Sequence, residues 1–151
     1  MSVTHAEFTI ERRYPQTPEQ TFSAFADPAL KRQWFANAGN WDNAEWRMDF
    51  RVGGGEYSAG GHDRYNEFRS RFHDIVENER IVFAYDLLHD HRLISVSLTT
   101  IELFADGDGT LMRFTEQGVF FDDLDAPAER EHGTGKLLDR LGRFLAGAPV
   151  R

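Results

Sequence analysis

The sequence predicts an α+β domain in which a curved antiparallel sheet closes around one long C-terminal helix. Three observations carry this. The longest helical pattern is the last, within 125–147. Before it come segments of two-residue alternation separated by glycine-rich turns. Strands never alternate with crossover helices, so a parallel sheet is excluded.

Composition narrows the function classes. At 151 residues the chain fits one domain, 1–151, large enough to bury a core. Thirteen Phe, four Tyr and three Trp make it aromatic-rich, which suits a wide interior. The net charge of −8 and the absence of a basic stripe argue against nucleic acid and anionic membranes as partners. Without cysteine, a disulfide framework, a thiolate nucleophile and a cysteine metal site are all impossible. No apolar run of signal-peptide or membrane-spanning length occurs, and a cytoplasmic location is the resulting expectation.

The elements follow in order. Glu7 to Tyr14 alternates, with Phe8, Ile10 and Arg12 on one face, and Pro15 ends it. Thr17 before Pro18 opens a short helix bearing Phe22 and Phe25, and Asp27 with Pro28 opens a second reaching Phe35. Residues 36–43 read as a loop. From Glu45 to Val52, Trp46, Met48, Phe50 and Val52 share a face opposite Arg47, Asp49 and Arg51, so Asp49 and Arg51 read as a structural charge pair. Gly53, Gly54 and Gly55 turn the chain into a strand around Glu56 to Ala59. They are no phosphate loop, because neither a GK[ST] ending nor a helix follows. Further strands are expected over Tyr65 to Val76, Ile81 to Leu88, His91 to Phe104 and Thr110 to Phe120, the last two joined by the hairpin turn ADGDG. In the last strand Met112, Phe114 and Glu116 share a face, which points Glu116 inward. In the final helix Asp125 with Pro127 signals the start and Gly147 followed by Pro149 the stop, and Leu137, Leu138, Leu141, Phe144 and Leu145 make one apolar stripe. Gly133 and Gly135 inside it each cost about 1 kcal/mol relative to alanine. Either the helix approaches the sheet closely there, or a ligand needs room beneath its first turns.

The order of elements, with DPALKRQWF at 27–35, MDFRVGGGEY at 48–57, ERIVFAYDL at 79–87, GDGTLMRFTEQG at 107–118 and EHGTGKLLDRL at 131–141, resembles the START/Bet v 1-like (SRPBCC) superfamily, and within it the family named after the activator of heat-shock-protein ATPase. The resemblance spans essentially the whole chain. It implies a helix-grip fold with a cavity between sheet and terminal helix, but no single activity: relatives include lipid carriers, polyketide cyclases, toxin-sequestering resistance proteins and a co-chaperone domain. Many relatives carry a tryptophan where this chain has Thr134, so the pocket entrance is expected to differ.

Among residues able to carry chemistry, the histidines His5, His62, His73, His89, His91 and His132 form no metal-ligand spacing, and neither a metal nor a cofactor is expected. No GxSxG elbow supports a serine hydrolase. The polar groups aimed at the cavity are Glu116, His132 and Thr134. A carboxylate among aromatics gains a raised pKa by desolvation, which suits Glu116 to acid–base work or to holding a ligand, although a buried structural hydrogen bond explains it equally. His132 either joins it as an acid–base candidate or faces solvent. Trp34, Trp46, Phe50, Phe68, Phe72, Phe83, Tyr85, Met112, Phe114 and Leu138 complete the expected lining, with most of the aromatics packing the core and a minority touching ligand. The leading expectation is a binding protein for a small hydrophobic or aromatic molecule, oriented by Glu116 and Tyr85. The alternatives are a cyclase- or dehydratase-like enzyme using Glu116 or His132, and a co-chaperone-like interaction domain. The last suffers because the chain begins almost at its first strand. The superfamily includes dimers, so a homodimer is left open.

Overall fold

The computed structural model describes residues 1–36, 45–61 and 63–147. Most of the loop expected over 36–43, together with His62 and Pro149, lies outside them. The elements run β1 (Val3–Tyr14), α1 (Pro18–Ala26), α2 (Pro28–Lys31), a π-helical turn (Arg32–Ala36), β2 (Glu45–Met48), β3 (Gly55–Gly60), β4 (Asn66–Val76), β5 (Arg80–His89), β6 (Arg92–Asp106), β7 (Gly109–Phe121) and α3 (Pro127–Leu145). Among the described residues the strands form one seven-stranded sheet in the order β1-β7-β6-β5-β4-β3-β2. All pairings are antiparallel. α1 and α2 thus carry the chain from one edge of the sheet to the other, and a meander brings it back beside β1. This is the expected α+β arrangement around a C-terminal helix.

Local signals explain the short helices. Thr17 Oγ1 accepts from Gln20 N at 3.1 Å while Gln20 Oε1 accepts from Thr17 N at 2.9 Å, a reciprocal cap that satisfies two otherwise unpaired donors. Asp27 caps α2 by accepting from Ala29 N at 2.9 Å. α2 is fixed from its far side by a buried ion pair, Lys31 Nζ to Glu56 Oε1 at 2.8 Å, with the lysine 4.5 Å from the Phe35 ring centre. Trp46 donates to the other oxygen of Glu56 at 2.9 Å.

Two expectations are corrected here. The strand expected over Glu45 to Val52 ends at Met48, and Val52 is exposed. Alternation continues in the sequence, but Asp49 N already bonds Gly55 O and Gly54 N bonds Arg51 O, so the chain is turning. Gly53 has φ +86°, and a Cβ on Gly54 would stand 2.2 Å from the Asp49 carbonyl oxygen, so this turn requires its glycines. Asp49 and Arg51 do pair, at 2.8 Å and in solvent, where such a bridge contributes little. The second correction concerns the start of α3. Asp125 does not cap it: Ala126 occupies the N-cap without a side-chain bond, and Asp125 is committed elsewhere.

The core lies between the concave sheet face and the helices. Ile10, Phe22, Phe25, Trp34, Phe72, Ile81, Ile101, Met112, Phe114, Leu138 and Leu141 are all buried in it. Register shifts bend β4, where His73 is the extra residue against β5, and β6, where Ile94 is the extra residue opposite Leu87 and Leu88. At the C-terminal end of α3 contact with the sheet is tight. Tyr14 Oη donates to the Leu138 carbonyl at 2.7 Å, and a Cβ on Gly142 would meet the Tyr14 ring at 3.1 Å.

Tyr14→Phe removes the buried hydrogen bond to α3 and keeps the ring. The expected loss is about 1 kcal/mol in urea unfolding; an unchanged midpoint would show that the hydroxyl does not anchor the helix.

Candidate functional site

Between α3 and the sheet lies an open cavity of about 560 Å³. Glu129, Arg130, Gly133, Thr134, Leu137 and Arg140 come from the helix, Phe68, Tyr85, Leu87 and His89 from β4 and β5, Ser58 from β3, Phe35 from the π-helical turn and Arg64 from the segment before β4. The helix glycines divide between the two readings given above. Gly135 has Arg12 of β1 3.3 Å from the place of a Cβ, whereas Gly133 has nothing within 4 Å and borders the cavity.

The expected lining residues separate into three groups. Phe68, Tyr85 and Thr134 border the cavity. Trp34, Phe72, Met112, Phe114 and Leu138 are buried core, and Phe50 and Phe83 pack against that core. They extend a series of ring contacts from Phe50 to Phe72 (5.0 Å), Phe72 to Phe83 (6.1 Å), Phe83 to Tyr85 (6.1 Å), Tyr85 to Phe68 (4.7 Å) and Phe68 to Phe35 (5.3 Å). Trp46 sits on the far edge strand, holding Glu56. His132 is exposed on the other flank of α3, where it borders a cleft against β1 with Arg12 and Asp139. It cannot act with Glu116 from there.

Glu116 points inward as its position in β7 requires, and is 2% exposed, but it stands behind the cavity wall. Tyr85 Oη lies 3.1 and 3.0 Å from its two oxygens and donates to them, and Thr99 Oγ1 donates at 3.1 Å. The residue that organises the wall is Arg130. Its Nη1 donates to Tyr85 Oη at 2.9 Å, and its Nη2 donates to Ser95 Oγ at 2.8 Å and to Asp125 Oδ2 at 2.7 Å. Its guanidinium lies 5.0 Å from the Phe120 ring centre and Nη1 is 3.8 Å from Glu116 Oε2. Arg130, Thr134, Leu137, Leu138 and Leu141 fall at i, i+4, i+7, i+8 and i+11. Extending the apolar stripe one turn toward the N-terminus would have placed Arg130 on the inner face.

The electrostatics follow from burial. Desolvation raises the Glu116 pKa, although Arg130 and the hydrogen bonds from Tyr85 and Thr99 oppose it. Burial and the Glu116 charge push the Tyr85 hydroxyl up, which keeps it a donor. For Arg130 burial works against the charge, but Tyr85, Glu116 and Asp125 outweigh it. At the cavity mouth burial lowers the His89 pKa, and Arg64 and Arg130 lower it further. Among the described residues no group of three or more His, Asp or Glu could hold a metal ion, and no helix is long and apolar enough to cross a membrane.

The family model for "Activator of Hsp90 ATPase homolog 1-like protein" matches residues 15–146. No curated protein matches the chain. Among solved structures, the chain is 46% identical to the Mll3558 protein from Rhizobium loti, with 95% of this chain and 99% of that one covered and a TM-score of 0.89. It is 38% identical to an uncharacterized protein from Rhizobium leguminosarum, covering 96% and 97% at a TM-score of 0.91. CalU16 from Micromonospora echinospora is 20% identical over 96% of this chain and 87% of its own, with a TM-score of 0.65, a likeness of fold alone.

Two variants test the wall. Arg130→Met strips the cation from Asp125 and Glu116 and should cost about 3–5 kcal/mol of unfolding free energy; a loss below 1 kcal/mol would show that the cluster is not a structural pin. Because the folded pKa of Glu116 is raised, the folded state holds its proton to higher pH than the unfolded state does. The stability associated with that proton is full below the ordinary carboxyl range and falls as pH rises from there through the raised value. Urea titrations of wild type and Glu116→Gln between pH 4 and 8 should therefore show the wild type losing ground to the variant as pH increases; parallel curves would contradict the shift.

Proposed function

The chain belongs to the activator of Hsp90 ATPase homolog 1-like family, and from this premise we propose that it is a binding protein for a small, largely apolar or aromatic molecule held between α3 and the sheet. The observation that carries the reading is the cavity of about 560 Å³ between α3 and the sheet, bordered by Gly133, where an added Cβ would meet nothing within 4 Å. Pockets of this size suit small ligands, and here rings and leucines share the lining with polar and charged side chains. Phe35, Phe68 and Tyr85 supply a wall of rings for a flat molecule, with Leu87 and Leu137 beside them.

Binding is favoured over catalysis by the state of the polar groups. Both Glu116 oxygens are engaged, Thr134 Oγ1 donates to the Arg130 carbonyl at 2.8 Å, and Arg130 is satisfied by three partners. An acid–base step by Glu116 would have to pass through the Tyr85 hydroxyl, whose proton burial holds in place. The arrangement supports a rigid wall rather than a proton donor aimed at a substrate.

The neutral dye N-phenyl-1-naphthylamine tests this. Its fluorescence should rise on binding the wild type, and it should raise Tm as a ligand of the native state must. Gly133→Phe fills the cavity from the helix and should abolish both effects while leaving the protein folded. Absence of binding, or binding that survives in Gly133→Phe, would overturn the proposal.

A further inference from the structure

The deep wall of the cavity is bonded within itself: Tyr85 joins Arg130 to Glu116, and Thr134 Oγ1 turns back onto its own helix. Among the charged lining groups Arg130 pairs with Asp125 at 2.7 Å, and Arg64 and Glu129 are exposed, where water meets their charge. Two other polar groups are placed differently. Ser58 lines the cavity from β3 and is only 3% exposed, yet no group among the described residues hydrogen-bonds its hydroxyl. His89 lines it from the end of β5, half-buried, and its ring nitrogens likewise have no bond among the described residues. Burial, and then Arg64, hold the His89 pKa below its ordinary value, so at neutral pH the ring is uncharged, with one nitrogen donating and the other accepting. Polar groups this far from solvent are nearly always bonded. These two open onto one cavity instead.

Their spacing follows from the sheet. Ser58 pairs with Phe68 and Phe68 with Leu87, so the three share a face, and His89 lies two residues beyond Leu87. At the usual strand spacing and rise the Cα atoms of Ser58 and His89 stand roughly 12 Å apart, with Phe68 on the strand between them.

We propose that the ligand is a flat, uncharged ring system with a hydroxyl or carbonyl group at each end, one bonded by Ser58 and the other by His89, and that these two residues select it over a plain hydrocarbon of the same shape. This rests on the binding reading above and adds the ligand's polarity and its orientation across Phe68. A hydrocarbon gains the contacts with Phe35, Phe68 and Tyr85 but shuts Ser58 and His89 away from water unbonded. That penalty is what lets a site built around hydrogen bonds reject the analogue lacking them. Serine and neutral histidine each donate and accept, so hydroxyl and carbonyl ends are both served.

Three probes of one skeleton separate the polar ends from the body: 2,6-dihydroxynaphthalene carries two hydroxyls, 2-naphthol one and naphthalene none. Each is titrated against N-phenyl-1-naphthylamine bound to the full chain, and displacement is read as loss of dye fluorescence. In the wild type the diol should bind at least about tenfold more tightly than naphthalene, as two hydrogen bonds to otherwise unbonded groups imply. Ser58→Ala should bring the diol down to the affinity of 2-naphthol for the wild type, while naphthalene, which makes neither bond, binds at least as well as before. His89→Leu should do the same from the other end, whereas His89→Gln, which keeps a donor and an acceptor, should retain the diol's advantage. Should His89→Leu fold poorly, Ser58→Ala decides alone, because losing one end suffices. Equal affinities of diol and naphthalene, or an advantage of the diol undiminished in Ser58→Ala, would overturn the polar ends; naphthalene displacement that Gly133→Phe abolishes would then leave the binding reading standing. A dye that never bound in a Gly133→Phe-sensitive way would overturn both.

Discussion

One guanidinium ties α3 to the sheet near the start of the helix. Arg130 reaches from α3 to Tyr85 on β5 and Ser95 on β6, with Asp125 from the preceding segment closing the ring and Glu116 on β7 behind it. Burying an arginine is costly unless its donors are matched, and here each contact draws in a different element. Arg130 also lines the cavity, so the group that joins these elements forms part of its wall.

The other half of the helix shows the opposite treatment. Tyr14 bonds the Leu138 carbonyl, Gly142 admits the Tyr14 ring, and Leu138 and Leu141 are fully buried. The helix is therefore packed closely along its C-terminal half and tied to the sheet by the Arg130 hydrogen bonds near its start. The continuous ring contacts from Phe50 through Phe72 and Phe83 to Tyr85 run from this packed core to the open cavity. The aromatic-rich composition serves both ends at once.

The strands, their order and the inward turn of Glu116 were legible because two-residue alternation fixes which side chains share a face. The same alternation misled at Val52, where Gly53 and Gly54 had already turned the chain out of the sheet. The site was less legible. Trp34, Met112 and Leu138 face inward as expected, but periodicity cannot distinguish an inward position in packed core from one that borders a cavity. Arg130 was passed over because a charge in the first turns of an amphipathic helix ordinarily faces solvent, whereas Trp46, expected in the lining, is held on the edge strand by its bond to Glu56. His132, one helical step off the inner stripe, ended on the opposite flank.

The sheet order also bears on how the molecule is made. β1 lies at the sheet edge, and its pairing partner is β7, with Val3 opposite Phe121 and Tyr14 opposite Thr110. β1, made before the other strands of this sheet, therefore has no place to pair until the last of them, β7, has followed. Closing so long a loop is entropically expensive and slow compared with forming the β3–β7 meander, whose neighbours are adjacent in sequence. Folding is accordingly expected to proceed from the meander, with β1 and α3 arriving last. Until then the concave apolar face stays uncovered, and the nascent protein is most prone to aggregate in this interval.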